Sequence, residues 1–571
     1  MTKPTRKPKI IDLGEVRSAL AIVSKRTGVR VDLDSDDRLT VAGRPVRLPA
    51  RNDPLPGEPP WRLEGEREEL LGTEGALPTV PRADVREKLL WRMLQDAMPD
   101  NGTGRALDAE LLNGLEGSLV PVLRDPNAAQ IIGKALNARF FSRTRDARVL
   151  LPMHTDLVHA FRHSKTSMGS GKSAPAGYRL FSGVLLPFLL WNGQSPDKAL
   201  IQRLFDLLND DSALNRLDIL FLDRARDIGG SGRATANADH LVSRYRTQLD
   251  DDFAAGAFCQ PALSQFADDL RTVLDSKLSR TDAVEWVTLL VSLHVTVLFY
   301  RLALVRGLQL DHVIAAAGDL SPPAEQPVGC CSAGLLGCPL AGSIRFRLGT
   351  GAFQPVSLRD PCHTSYSELD GMRLLALPAT LVTVNLATRI WHALGGPEPQ
   401  QRDLAGLAGA LRVDSDLRSQ FNAGCAAAAV LHHASHRPSA DAHELWDAAA
   451  PEPGAHALRQ DVLLMRGKDL RHQSRDIVNQ LLAADPVGRL LGRNGPYTFY
   501  EIDEAMLVLL VRIVCARRTL PFGDFLLGLR KYGLAPQHEL EKDRLADSLE
   551  RLGLLIRYSD AGEAAYVHDT H

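Results

Sequence analysis

Four of the seven cysteines in this 571-residue chain lie between positions 330 and 362, and a histidine follows the last of them. Thiolate and imidazole groups are the ligands that tetrahedral zinc prefers. The candidate metal ligands are Cys330, Cys338, Cys362 and His363, with Cys331 as the alternative to its neighbour. A strong zinc-finger signal would be two Cys-x-x-Cys pairs, and this region contains none. Small buried thiols in a tight loop are therefore the favoured interpretation, and structural zinc is the alternative.

A second group of residues that could form a functional site is the cationic segment 134–179. It holds nine Lys and Arg residues against two acidic ones, and phenylalanines and a tyrosine are interleaved with them. A local excess of cations in a nearly neutral chain suits contacts with nucleic acid phosphates, whereas a solvated face or a dock for an acidic protein is the alternative. The predicted nucleic acid contacts are Lys134, Arg139, Arg143, Arg145, Arg148, Arg162, Lys165 and Lys172.

Two further patterns imitate catalytic sites without matching them. The segment 167–173 resembles a phosphate-binding loop, but Thr166 occupies the position of its first glycine and Pro175 interrupts the helix that should follow. The histidines at 159 and 163, and those at 432, 433 and 436, lack the glutamate of a His-Glu-x-x-His metal site, so we expect exposed or capping histidines. No carboxylate set resembles a nuclease centre. The sequence therefore favours a protein without enzymatic activity.

In most of the chain, apolar residues recur at the spacing of a helix. The candidate site residues should therefore be positioned mainly by helices. The sequence predicts a mostly α, multi-domain protein with a helical body, a central irregular insert that contains the cysteines, and a C-terminal winged helix. Within the first segment we expect a small hairpin over 30–48, and within the insert a strand pair at 343–348 and 352–358. The predicted segments are a small basic N-terminal module (1–51), a linker (52–81), a helical domain (82–317), the insert (318–373), a second helical domain (374–496) and the winged helix (497–571).

The winged helix is the most specific of these predictions. Helices are expected at 501–517, 522–532 and 539–552, followed by a hairpin of 554–558 and 564–567. The third helix usually reads DNA, but here it is net acidic, and residues 497–571 hold twelve acidic against nine basic residues. We therefore expect this module to bind a protein partner, with the contacts at Arg517, Arg518, Arg530 and Lys531.

Composition limits the cellular setting. The formal net charge is −2, so attraction to nucleic acid or membrane depends on local clusters. The irregular cysteine spacing and the lack of a signal peptide pattern predict a cytoplasmic protein with reduced thiols. The apolar stretch 286–305 is interrupted by His294 and Arg301, and we expect a buried helix there and no membrane contact.

One resemblance adds to this interpretation. The helical body with its cysteine insert and winged helix is similar to accessory subunits of bacterial anti-phage DNA restriction systems, phosphorothioation-dependent ones among them. The residues that carry it are Gly329-Cys330-Cys331-Ser332, Ser343-Ile344-Arg345, Leu552-Gly553-Leu554-Leu555 and Tyr558-Ser559-Asp560-Ala561-Gly562. The resemblance implies a non-catalytic partner that helps an ATPase or nuclease subunit engage DNA, and it transfers no functional residue. A zinc-dependent enzyme that uses the insert 330–363 and a winged-helix transcription regulator are the alternatives.

Overall fold

The structure is a computed structural model that describes residues 11–46, 185–228, 259–323, 334–344, 346–348, 371–398, 403–465, 491–494, 497–536, 538–558 and 564–569, with short stretches between 90 and 242. These residues are mostly helical, which confirms the predicted class. The helices are α1 (Leu13–Thr27), α2 (Leu185–Leu189), α3 (Lys198–Leu208), α4 (Arg216–Ile228), α5 (Gln260–Leu274), α6 (Arg280–Ala317), α7 (Gly371–Ala393), α8 (Leu404–Val413), α9 (Ser415–His436), α10 (Ala442–Ala449), α11 (Gly454–Met465), α12 (Glu504–Cys515), α13 (Phe522–Arg530) and α14 (Glu539–Arg551).

The strands form three small sheets. Their bounds are β1 (Val31–Leu33), β2 (Leu39–Val41), β3 (Arg44–Pro45), β4 (Phe346–Leu348), β5 (Leu491–Asn494), β6 (Tyr497–Ile502), β7 (Leu520–Pro521), β8 (Leu555–Tyr558) and β9 (Ala564–Val567). The sheet orders are β1-β2-β3, β4-β6-β5 and β7-β9-β8. The predicted hairpin near the N-terminus is confirmed by the antiparallel pairing of β1 with β2.

Contacts divide the chain into two compact units, each built from three separate stretches. The first unit comprises Met1–Ala76, Tyr300–Ser332 and Met372–Arg475, and the second comprises Leu77–Phe299, Ala333–Gly371 and Asp476–His571. The linear division into six segments stays a prediction.

The first unit is organised around α9, whose buried middle is rich in alanine. Helices α1, α10 and α11 pack on it, and the inward side chains of β1 and β2 join the same core. Small side chains let the helices approach closely: a Cβ at Gly454, where α11 begins, would overlap the carbonyl oxygen of Asn422. The core therefore depends on residue size as well as on apolar character.

The long helix α6 contains the apolar stretch expected to be buried. It is long and apolar enough to cross a membrane, but 94% of its most apolar window is buried within the protein. His294 and Arg301, the two polar interruptions, are buried as well. The helix is thus a core element, as predicted.

We call residues 497–569 the C-terminal module. Helices α12, α13 and α14 begin and end within three residues of the predicted bounds, and β8 and β9 form the expected hairpin. Strand β7, between α12 and α13, pairs with β9. Left-handed backbone at Ala516 and Arg517 ends α12 and turns the chain towards β7.

The strand pair expected inside the insert is only half right. Strand β4 lies within the predicted 343–348, but it pairs in parallel with β6, about 150 residues later in the chain. The other predicted strand, 352–358, lies outside the described residues. Local alternation indicated a strand correctly and could not identify its distant partner.

Candidate partner-docking surface

The predicted nucleic acid contacts cannot be placed in this fold. Lys134, Arg139, Arg143, Arg145, Arg148, Arg162, Lys165 and Lys172 all lie outside the described residues. Of that segment the structure describes only residues 154–156.

His154 is one of those three residues, a histidine that could add positive charge to the segment at lower pH. It is 2% exposed, and burial lowers its pKa, which disfavours the charged form. Its Nε2 atom lies 3.2 Å from Asp211 Oδ1, outside hydrogen-bonding geometry. Arg226 bridges the carboxylates of Asp156 and Asp211 at 2.8 and 2.9 Å. Residues 154–156 therefore take part in a network of ion pairs with Asp211 and Arg226.

The predicted zinc ligands are described at one position only. Cys338 is half-buried in the turns of 334–344, and Cys330, Cys362 and His363 lie outside the described residues. Among the residues that the structure describes, no group of three metal-ligating side chains occurs. Burial raises the pKa of Cys515 to about 12, so this thiol stays protonated and is a poor nucleophile or metal ligand.

Of the histidines at 432, 433 and 436, the first two are buried. The expectation of exposed or capping side chains is therefore wrong for His432 and His433. His432 and His433 are 2% and 6% exposed, and their Nδ1 atoms lie 2.5 and 2.7 Å from the two carboxylate oxygens of Asp461. Burial alone would raise the pKa of Asp461, but the hydrogen bonds and charges of the two histidines lower it. The cluster ties α9 to α11 and supplies a structural reason for these histidines.

A buried carboxylate fixes the C-terminal module on its neighbours in the second unit. Asp269 of α5 is 1% exposed, and its Oδ2 accepts a hydrogen bond from the Tyr532 hydroxyl at 2.7 Å. The same oxygen lies 2.8 Å from His294 Nε2, which carries the proton because a carboxylate can only accept. Gln265 donates to Oδ1 at 2.7 Å. Three donors thus compensate one buried charge, and we call these residues the Asp269 network.

Two arginines add to this attachment. Arg512 of α12 is 1% exposed, pairs with Asp569 through Nε and Nη2 at 3.1 and 3.2 Å, and stacks over the Trp286 ring at 4.3 Å. Arg517, one of the four predicted partner contacts, donates from Nη2 to the carbonyl oxygen of Asp275 at the end of α5. Arg517 therefore has a role within the fold.

The insert also contacts the module. The amide of Ile344 donates to the Gly533 carbonyl at 2.8 Å, and the amide of Ala535 donates to the Ile344 carbonyl at 3.1 Å. The end of α13 is therefore held on one side by the Asp269 network and on another by residues 334–344. These attachments leave the outer face of α14, residues 556–558 of β8 and one face of α13 exposed.

Acidic side chains dominate the outer face of α14. Glu539, Asp543, Asp547 and Glu550 are all exposed. Arg557 of β8 lies 3.3 Å from both Asp547 and Glu550, so it neutralises part of their charge. The face remains net acidic, which disfavours contact with a phosphate backbone.

Large apolar side chains are exposed on the same elements of the C-terminal module. Of the eleven large apolar side chains that are exposed among the described residues, four lie on α13, α14 and β8. They are Leu527 (47%), Leu540 (44%), Ile556 (41%) and Tyr558 (53%). Exposed apolar groups rimmed by charge are typical of protein-binding surfaces. We call Leu540, Ile556, Tyr558 and the acidic side chains of α14 the docking face.

The remaining predicted partner contacts, Arg518, Arg530 and Lys531, are exposed near the two ends of α13.

Comparison with known protein families finds no match for this sequence, and comparison with curated proteins finds none either.

The Tyr532 hydroxyl provides a test of the Asp269 network. Substitution of Tyr532 by Phe removes a donor from a buried carboxylate, and we expect it to lower the free energy of unfolding by about 1.5–3 kcal/mol. Burial and the neighbouring Asp269 raise the pKa of Tyr532 well above its ordinary 10.0. Its stabilisation is therefore complete below pH 10.0 and is lost as pH rises through the higher folded pKa.

Denaturant unfolding of the full chain at neutral and alkaline pH measures both effects. The wild-type protein should lose stability above pH 10.0 more steeply than the Tyr532→Phe variant. The exposed Tyr558 provides the matched control, since Tyr558→Phe should leave the transition unchanged. Equal stability of the wild-type and Tyr532→Phe proteins would contradict the proposed role of the hydroxyl.

Proposed function

We propose that the C-terminal module is a winged helix that binds a protein partner through its docking face. The order helix, strand, helix, helix and hairpin, with β7 paired to the last strand, supports the winged-helix assignment. The observation that carries the protein-binding proposal is the combination of acidic and apolar side chains on α14 and β8. A partner with a basic rim around an apolar centre would complement this face.

We further propose that the protein is a non-catalytic subunit of a bacterial DNA-processing or anti-phage defence complex. Its partner would be an ATPase or nuclease subunit, and segment 134–179 would contact nucleic acid. The resemblance to restriction accessory subunits supports the first part, and the cation excess of the segment supports the second. A sequence-specific transcription regulator is a weaker proposal, because its reading helix would have to approach phosphates with an acidic face.

Partner binding is tested with tagged full-length protein purified from its native host. Substitution of Leu540, Ile556 and Tyr558 by Ser should reduce the recovery of the bound partner by roughly 100-fold, since a buried apolar contact contributes on the order of 1 kcal/mol. The control carries Val413→Ser and Leu464→Ser, which change side chains that are 90% and 71% exposed elsewhere. Equal recovery with both variants would rule out the docking face.

Nucleic acid binding is tested by fluorescence anisotropy with a short DNA duplex across a salt series. We expect binding that weakens with salt, and substitution of Arg139, Arg143, Arg145 and Lys172 by Ala should reduce the salt slope by about 3–4. Substitution of Arg518, Arg530 and Lys531 by Ala should leave the slope unchanged. Binding that is absent at low salt, or that is lost only in the second variant, would contradict the assignment to segment 134–179.

A further inference from the structure

A cleft of about 370 Å³ lies between α13 and the beginning of α14, beside the docking face. Gly523, Leu526, Leu527 and Arg530 form one of its walls. These four residues stand at positions i, i+3, i+4 and i+7 of α13, so they share one face of the helix. The rest of the lining consists of Gly342, Ala535, Pro536 and Lys542. One face of α13 is thus left open by the packing that fixes the rest of the helix.

Part of the cleft lining is apolar, and the cleft has room for a further side chain at Gly523. Leu527 is 47% exposed, and Leu526 and Pro536 are half-buried around it. A Cβ added at Gly523 would meet no atom within 4 Å. An apolar side chain of a bound segment could therefore enter without displacing any part of the fold.

Charge at the cleft is opposite to that of the docking face. The lining includes two cations, Arg530 and Lys542, and no acidic side chain. Lys542 pairs with Glu539 at 2.5 Å and is 36% exposed, whereas Arg530 has no ion-pair partner among the described residues. A guanidinium beside an apolar slot is well suited to a carboxylate, which it can bind through two parallel hydrogen bonds.

We infer that this cleft binds an acidic peptide segment of the protein partner. An apolar side chain of the segment inserts between Leu526, Leu527 and Pro536, and a neighbouring Asp or Glu pairs with Arg530. The inference rests on the proposed protein-binding function of the module and names the chemistry of the bound segment. Together with the docking face it requires a partner that presents both charges.

A nucleic acid phosphate would also be attracted to Arg530, but the surroundings favour a peptide. The lining contains no aromatic ring on which a base could stack, and its apolar side chains are all aliphatic. The exposed carboxylates of Asp524, Glu539 and Asp543 lie close by in the sequence of the two helices and would repel an extended phosphate chain. A short peptide can present a single carboxylate and avoid them.

The test selects peptides from a displayed library of short random sequences on immobilised full-length protein. The best peptide is then labelled with fluorescein, and its affinity for full-length variants is measured by anisotropy. We expect enrichment of peptides that place Asp or Glu next to Leu, Ile or Phe. Gly523→Leu, which fills the cleft, and Arg530→Glu, which reverses its charge, should each weaken binding roughly tenfold or more. Replacement of the peptide carboxylate by Lys should restore binding to the Arg530→Glu variant.

Gly409→Leu is the matched control, because Gly409 also lies exposed in a helix with open space around its Cβ. This substitution should leave the affinity unchanged. Failure to enrich any peptide, enrichment without acidic residues, or equal affinity for the Gly523→Leu variant would overturn the inference. Displacement of the peptide by a short DNA duplex would identify a phosphate site instead.

The outcome separates this inference from the proposed docking face. If Gly523→Leu is silent while substitution of Leu540, Ile556 and Tyr558 abolishes partner recovery, the cleft inference fails and the docking face stands. If Gly523→Leu abolishes partner recovery while substitution of Leu540, Ile556 and Tyr558 is silent, the cleft binds the partner and the docking face does not.

Discussion

Asp269 is a carboxylate buried between helices, and the orientation of the C-terminal module depends on how its charge is compensated. An unpaired buried charge is costly, so the carboxylate requires donors, and Tyr532, His294 and Gln265 supply them from the module, α6 and α5. Because each donor belongs to a different element, loss of one leaves the others with a partly unsatisfied charge. Together with the contacts of Ile344, the network holds the end of α13 against its neighbours in the second unit.

The exposed sides have a consistent chemical character. The outer face of α14 is acidic and bears apolar side chains, whereas the α13 cleft is cationic and aliphatic. Two surfaces of opposite charge on one small module suit a protein partner, which can carry both signs, better than a nucleic acid with a uniformly negative backbone. This contrast adds to the acidic and apolar side chains of α14 and β8, which carry the proposal of protein docking.

The sequence predicted what is local and missed what depends on distant pairing. The three helices and the hairpin of the module were predicted closely, because apolar spacing and turn residues lie within each element. The missed features depend on residues that are distant in the chain. They are the pairing of β4 with β6, the contacts of His432 and His433 with Asp461, and the Asp269 network. A polar residue on the apolar side of a helix, as Asp269 is on α5, is the kind of signal that could have indicated a buried network. The burial of His154, which lowers its pKa, is likewise invisible to a count of charges along the sequence.

Hydrogen–deuterium exchange of the full-length protein with and without a short DNA duplex at low salt tests the central claim most directly. We predict slower amide exchange within segment 134–179 when DNA is bound, and unchanged exchange along α14 and the β8–β9 hairpin. Protection of α14 by DNA would contradict the account, because it would place the acidic helix on the nucleic acid and not on a protein partner.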